Sequence, residues 1–139
     1  QLAEADPTLD VDGWDGAVKL CALANILMQA DCTPESVARE SIRAVTPADI
    51  ARAGSEGCRI KYICEARRDA AGEVKLSVKP RLLPGSDLFC YVNGTSAAIT
   101  FYTDLAGELT LVQTNPAILQ TAYGVYSDLL TLIKALPPV

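Results

Sequence analysis

The chain has 139 residues, of which 50% are hydrophobic and 21% charged, with a net charge of -5 and no histidine. This is enough apolar material for one domain with a core. The acidic balance without a Lys/Arg stripe argues against non-specific nucleic-acid binding, no apolar run reaches the length of a helical membrane span, and the lack of histidine excludes most zinc sites.

"QLAEADP" resembles neither a signal peptide nor an initiator and is expected to be a cut end. Residues 1–12 are expected to run as an extended acidic segment. A helix is predicted from Asp12 or Gly13 to about Ala30, with Asp12 as N-cap. Apolar residues on nearly every side from Leu20 to Met28 predict burial all round for its second half. Thr33 and Pro34 predict a short helix. Thr46 and Pro47 predict another, stopped at Gly54. "CRIKYICEA" (58–66) reads as a strand with Ile60, Tyr62 and Cys64 on one face. "EVKLSVKP" (73–80) reads as its hairpin partner across "RRDAAG", with Val74, Leu76 and Val78 alternating against polar residues. "NGT" (93–95) reads as a turn rather than a glycosylation site. "SAAITFYT" and "ELTLVQT" form a second hairpin around "DLAG". A last helix, about 117–135, carries an apolar stripe of Leu119, Ala122, Tyr126, Leu129 and Ile133. The pattern predicts an α+β fold: one mixed or antiparallel sheet with helices packed mainly on one face. Five cysteines, odd in number and without a CxxC, read as free thiols in a reducing cytoplasm.

The chemistry concentrates near the start. Residues 1–38 hold seven acids (Glu4, Asp6, Asp10, Asp12, Asp15, Asp31 and Glu35) and one cation, Lys19. On a helix, Asp15 and Lys19 are i,i+4 and share a face. One reading is a solvated helix start with a surface ion pair, worth under about 1 kcal/mol. The other is an amino-acid site, in which acids bind an α-amino group and a partly buried lysine handles an oxygen.

"EADPTLDVDGWDGAVK" resembles the signature of the homoserine dehydrogenase family, Glu-x-Asp-Pro, a spacer, Asp-hydrophobic-x-Gly-x-Asp, three residues and Lys. Glu4, Asp6, Pro7, Asp10, Gly13, Asp15 and Lys19 all fall in register. "GCRIKYICEA", "SVKPRLLPGSDLFCYVNGTSAAITFYTDLAGELTL" and "QTAYGVYSDLL" resemble later family segments, so the resemblance spans almost the whole chain. It implies a substrate-binding and dimerisation domain over 1–139, without the nucleotide-binding domain. The implied activity is the NAD- or NADP-dependent interconversion of L-homoserine and L-aspartate 4-semialdehyde, in threonine and methionine biosynthesis, by a cytoplasmic homodimer. It implies that Lys19 is the catalytic lysine, that Asp15 lies at the reacting oxygen, that Glu4 holds the substrate ammonium and that Asp10 shapes the polar pocket. It implies no metal, and a cofactor bound mainly outside this chain, so the chain alone is expected to be inactive.

Three departures stand out. Leu2 replaces a family aromatic, "VQTNPAIL" (112–119 region) replaces a glycine-rich turn before the last helix, and Gly16 sits inside the Lys19 helix at a propensity cost of roughly 1 kcal/mol. The middle departure leaves open a second reading, a degenerate or stand-alone amino-acid-binding or interaction domain without redox chemistry.

Overall fold

The computed structural model describes residues 6–136. They divide into two compact units, Gln1–Cys90 and Tyr91–Val139. The α+β class holds, but the single predicted sheet does not: the strands form a three-stranded sheet and a separate two-stranded one.

In the first unit, helix α1 (Thr8–Val11) is a single turn and α2 spans Trp14–Met28. A 3-10 turn at Pro34–Ser36 leads to the short strand β1 (Ala38–Arg39), and a second at Ile42–Ala44 leads to α3 (Pro47–Ser55). Strands β2 (Cys58–Arg68) and β3 (Val74–Pro84) complete the unit. The order is β1-β3-β2, with β1 parallel and β2 antiparallel to β3. The β2–β3 hairpin is longer than predicted, because Arg67 and Arg68 continue the strand opposite Lys75 and Val74. Its turn closes where the Asp69 carboxylate accepts from the Ala71 and Glu73 amides at 2.9 and 3.0 Å.

Register explains where the core sits. Tyr62, Cys64 and Ala66 lie opposite Pro80, Val78 and Leu76. Leu76 and Val78 are buried, as their alternation predicts, and with Val37 they pack against Ala17, Leu20, Cys21 and Ala24 of α2. These four are spaced i, i+3, i+4 and i+7, one helical stripe. The predicted burial all round from Leu20 to Met28 is therefore wrong within this chain: Ile26 and Leu27 are more than half exposed, and Leu23 is exposed as well. The reason is geometric. A single sheet face covers one stripe of a helix, whatever the composition of the rest.

The extended start predicted over residues 1–12 is corrected where it is described, residues 1–5 lying outside the described residues. Thr8–Val11 turns helically, with the Asp6 carboxylate accepting from the Thr8 amide at 3.0 Å. Asp12 is not the N-cap of α2. Gly13 holds that place in a left-handed conformation, φ 77°. A Cβ on Gly13 would lie 2.3 Å from the Tyr62 hydroxyl and 3.2 Å from Val78 Cγ1. A Cβ on Gly16 would lie 3.0 Å from Cys64 Sγ and 3.2 Å from Val78 Cγ1. Gly16, unexplained by helix propensity, thus has a reason in close packing on the sheet.

Helix α3 begins as predicted. Thr46 Oγ1 accepts from the Asp49 amide at 3.2 Å, while the Asp49 carboxylate accepts from the Thr46 amide at 3.0 Å, a reciprocal capping box. It ends at Ser55 rather than Gly54, and the left-handed residue is Gly57, φ 69°.

In the second unit, β4 (Ala97–Thr103) and β5 (Gly107–Gln113) form the predicted antiparallel hairpin, with Thr100 and Thr110 hydroxyls 2.9 Å apart. Gly94 takes φ 63° in the turn predicted at "NGT". Helix α4 (Ile118–Ala135) matches its predicted span, but none of its residues is buried within the chain.

Three stability outcomes follow from these contacts. Thr46→Ala should cost about 1 kcal/mol in urea unfolding, the usual value of an N-cap. Asp49 is held below its ordinary carboxylate value of 3.8 by its hydrogen bonds from the Thr46 side chain and amide. A lowered folded-state pKa stabilises above the unfolded value and is lost as pH falls through the folded one. Asp49→Asn should therefore be less stable than the parent at pH 7, and the gap should close as pH drops below 3.8. Gly13→Ala should destabilise by roughly 1–3 kcal/mol from the left-handed backbone alone, and by more from the Tyr62 clash; Tyr62→Phe in that background should recover part of the loss by removing the closest atom.

Candidate active site

The four residues singled out from the sequence are placed unevenly. Glu4 lies outside the described residues. Asp10 stands on the exposed α1 turn, and among the described residues its carboxylate has no hydrogen bond or ion pair from a side chain. Asp15 and Lys19 occupy the first two turns of α2 and meet as predicted, Lys19 Nζ to Asp15 Oδ2 at 2.7 Å. The structure thus joins two of the four directly and sets the third one joint away.

The expected burial of Lys19 is not found. Its side chain is 72% exposed and that of Asp15 46%. Position 19 lies on the face of the helix turned away from the buried stripe of Ala17, Leu20, Cys21 and Ala24. No side chain among the described residues covers it. An exposed pair of this kind contributes little stability, under about 1 kcal/mol. It leaves an ammonium beside a carboxylate, both open to solvent.

The neighbouring contacts were not visible in the sequence. Asp12 ends α1, and its Oδ1 accepts from Ser41 Oγ at 2.7 Å and from Arg43 Nε at 2.8 Å. Its Oδ2 accepts from Arg43 Nη2 at 3.3 Å. The Arg43 guanidinium first, and the Ser41 hydroxyl next, hold the Asp12 carboxyl below its ordinary value. The Arg39 guanidinium stacks 3.3 Å over the centre of the Trp14 ring, at the first residue of α2. Arg39 Nε is buried without a hydrogen-bond partner among the described residues, so that stacking is its visible compensation. Beneath the pair, Cys64 is exposed as a residue, yet its sulfur faces the Gly16 backbone. Desolvation raises its thiol pKa, with the Asp15 charge adding and Lys19 opposing. A thiol pushed up in this way stays protonated and is a poor nucleophile. The signal for Arg43 and Ser41 was absent by nature: they lie about thirty residues from Asp12, with no periodicity linking them.

The segment before α4, where "VQTNPAIL" stands in place of a glycine-rich turn, uses its own backbone donors. The Ala117 amide donates to Gln120 Oε1 at 2.8 Å and the Asn115 amide to Ser96 Oγ at 3.0 Å. Asn115 itself takes φ 46° where a glycine would be free of strain. These donors are satisfied within the chain and do not fit a pyrophosphate. Nor do the described residues include a group of three or more His, Cys, Asp or Glu placed to hold a metal ion.

Residues 1–130 match the profile of the family described as homoserine dehydrogenase. The NAD(+)-dependent homoserine dehydrogenase of Pseudomonas canavaninivorans is 35% identical over 128 residues, covering 92% of this chain and 36% of that protein. A crystal structure of Staphylococcus aureus homoserine dehydrogenase at pH 6.0 superposes with a TM-score of 0.83 at 32% identity, over 99% of this chain and 35% of that one. A hyperthermophilic archaeal homoserine dehydrogenase in complex with NADPH superposes at 0.72 and 27% identity, over 97% and 37%. The chain spans about a third of the length of these relatives. Profile, identity and fold agree along nearly the whole sequence: the chain belongs to the homoserine dehydrogenase family.

Proposed function

We propose that this chain is the substrate-binding and dimerisation domain of an NAD(P)-dependent homoserine dehydrogenase that interconverts L-homoserine and L-aspartate 4-semialdehyde. The observation that carries this is the Asp15–Lys19 pair, closed at 2.7 Å directly after the acidic turn. Glu4 and Asp10 supply negative charge for the substrate ammonium. Asp15 and Lys19 then face the oxygen at the far end of the substrate. In the direction of reduction, Lys19 donates a proton from Nζ to the aldehyde oxygen, and Asp15 stabilises the ammonium that is restored from water. The nicotinamide cofactor, when bound, supplies the hydride. The exposure of Lys19 suits this division, because a second domain and the substrate would have to cover the pair before chemistry.

The same exposure, with the occupied donors at Asn115 and Ala117, supports a second reading: an amino-acid-binding or interaction domain without redox activity. Kinetics separate the two. In the full-length protein, Lys19→Ala should lower kcat by about 10²–10⁴-fold, the usual worth of a general acid–base group. Glu4→Ala should act mainly on KM, because an ammonium contact exists in ground and transition states alike. Near-parental kcat in Lys19→Ala would reduce the pair to a surface ion pair. The 139-residue chain alone should not oxidise homoserine with either cofactor. In sedimentation at tens of micromolar it should run as a homodimer, whose contact would cover part of the exposed apolar surface; a monomer at that concentration would remove dimerisation from the proposal.

A further inference from the structure

Helix α1 cannot hold its own position. It has four residues, none of them buried, and its largest apolar side chain, Leu9, is 59% exposed. An isolated turn of that length is not stable in water. Yet it carries Asp10 and follows directly on the segment that holds Glu4. Whatever fixes it relative to α2 therefore fixes Asp10, one of the acids proposed for the substrate ammonium, relative to Lys19.

The fixing contacts converge on Asp12. Its carboxylate takes the two-pronged Arg43 guanidinium and the Ser41 hydroxyl. Ser41 Oγ also lies 3.1 Å from the Val11 carbonyl, so one hydroxyl touches both sides of the α1 terminus. The same oxygen accepts from the Arg43 amide at 3.2 Å, which sets Arg43 in place. The loop that carries Ser41 and Arg43 is anchored to the sheet. The Glu40 amide donates to the carbonyl of fully buried Val78 at 2.9 Å. The Glu40 carbonyl accepts from the Tyr62 hydroxyl at 2.8 Å, and that hydroxyl packs on Gly13. These contacts tie the end of α1 to the sheet through one loop, alongside the direct packing of α1 on α2.

Energy does not explain the arrangement. The Arg43 and Asp12 side chains are 58% and 30% exposed, and exposed pairs contribute little to stability. A two-pronged guanidinium–carboxylate contact does, however, fix an angle as well as a distance. We propose that Asp12, with Arg43 and Ser41, is a positioning unit that sets the angle between the acidic turn and the Lys19 helix and so matches the site to the length of its amino-acid substrate. This rests on the reading of the chain as a homoserine dehydrogenase domain.

A double-mutant cycle in the full-length protein tests it. Asp12→Ala and Arg43→Ala should each lower kcat/KM for homoserine by roughly 10- to 100-fold, the scale of a misplacement near 1 Å. The loss should fall mainly on the homoserine KM, because the displaced acids make ground-state contacts, and the cofactor KM should not move. The double variant should lose no more than either single one, since the residues act as one unit. Arg43→Lys should recover only part of the loss, as it keeps the charge but not the fork. If Asp12→Ala fails to fold, Ser41→Ala leaves the ion pair in place and should raise the homoserine KM in the same sense by a smaller factor. Additive losses, an unchanged homoserine KM, equal rises in both KM values, or full recovery in Arg43→Lys would overturn the proposal. The parent and Lys19→Ala, measured alongside, keep the two ideas apart: no homoserine-dependent turnover in the parent defeats the dehydrogenase reading, near-parental kcat in Lys19→Ala removes only the role of the lysine, and turnover with no effect at Asp12 and Arg43 defeats only the positioning unit.

Discussion

The first unit depends on how closely α2 approaches the β2–β3 sheet. Two missing side chains allow it. At Gly13 the space of a Cβ is taken by the Tyr62 hydroxyl, and at Gly16 by Cys64 Sγ and Val78. Protein interiors are packed so densely that one added carbon at such a point must displace a neighbour. With both positions bare, Ala17, Leu20, Cys21 and Ala24 reach Leu76 and Val78, and the helix becomes a rigid mount. Asp15 and Lys19 project from the part of the helix held in this way, so their position is inherited from the sheet.

That dependence reconciles two features that seem opposed. The lysine that the family resemblance marks as catalytic is largely exposed, yet the backbone beneath it is among the most tightly packed in the chain. The proposed division of the site between two domains accounts for both: a mount fixed in advance, and reacting groups left facing outward. The exposed apolar residues of α2, and α4 with none of its residues buried, fit the same picture of a chain whose apolar surface exceeds what it covers by itself.

Carboxylates in the opening stretch, alike in sequence, have divided into separate roles. Asp15 pairs with Lys19, Asp12 with Arg43 and Ser41, and Asp6 caps the Thr8 amide, while Asp10 keeps its charge free of a side-chain partner among the described residues. Like charges so close together are tolerated because several are neutralised by fixed partners. What remains unpaired is then available to a cationic group of a ligand.

By itself the sequence determined the local elements and the chemistry of the Asp15–Lys19 pair, because both rest on short-range rules. Spacing of i,i+4 brings the pair together in any helix, alternation marks the inward face of β3, and Thr46 with Asp49 closes a capping box within four residues. The register of Glu4, Asp6, Asp10, Asp15 and Lys19 likewise carried the family. Only the tertiary structure decided what depended on distant partners. It moved Asp12 from an assumed N-cap to a clamp with Arg43, split the strands into two sheets, left most of α2 uncovered and gave Gly16 a reason in packing. Burial and long-range hydrogen bonds belong to pairs of segments brought together by folding, and no periodicity within either segment encodes its partner.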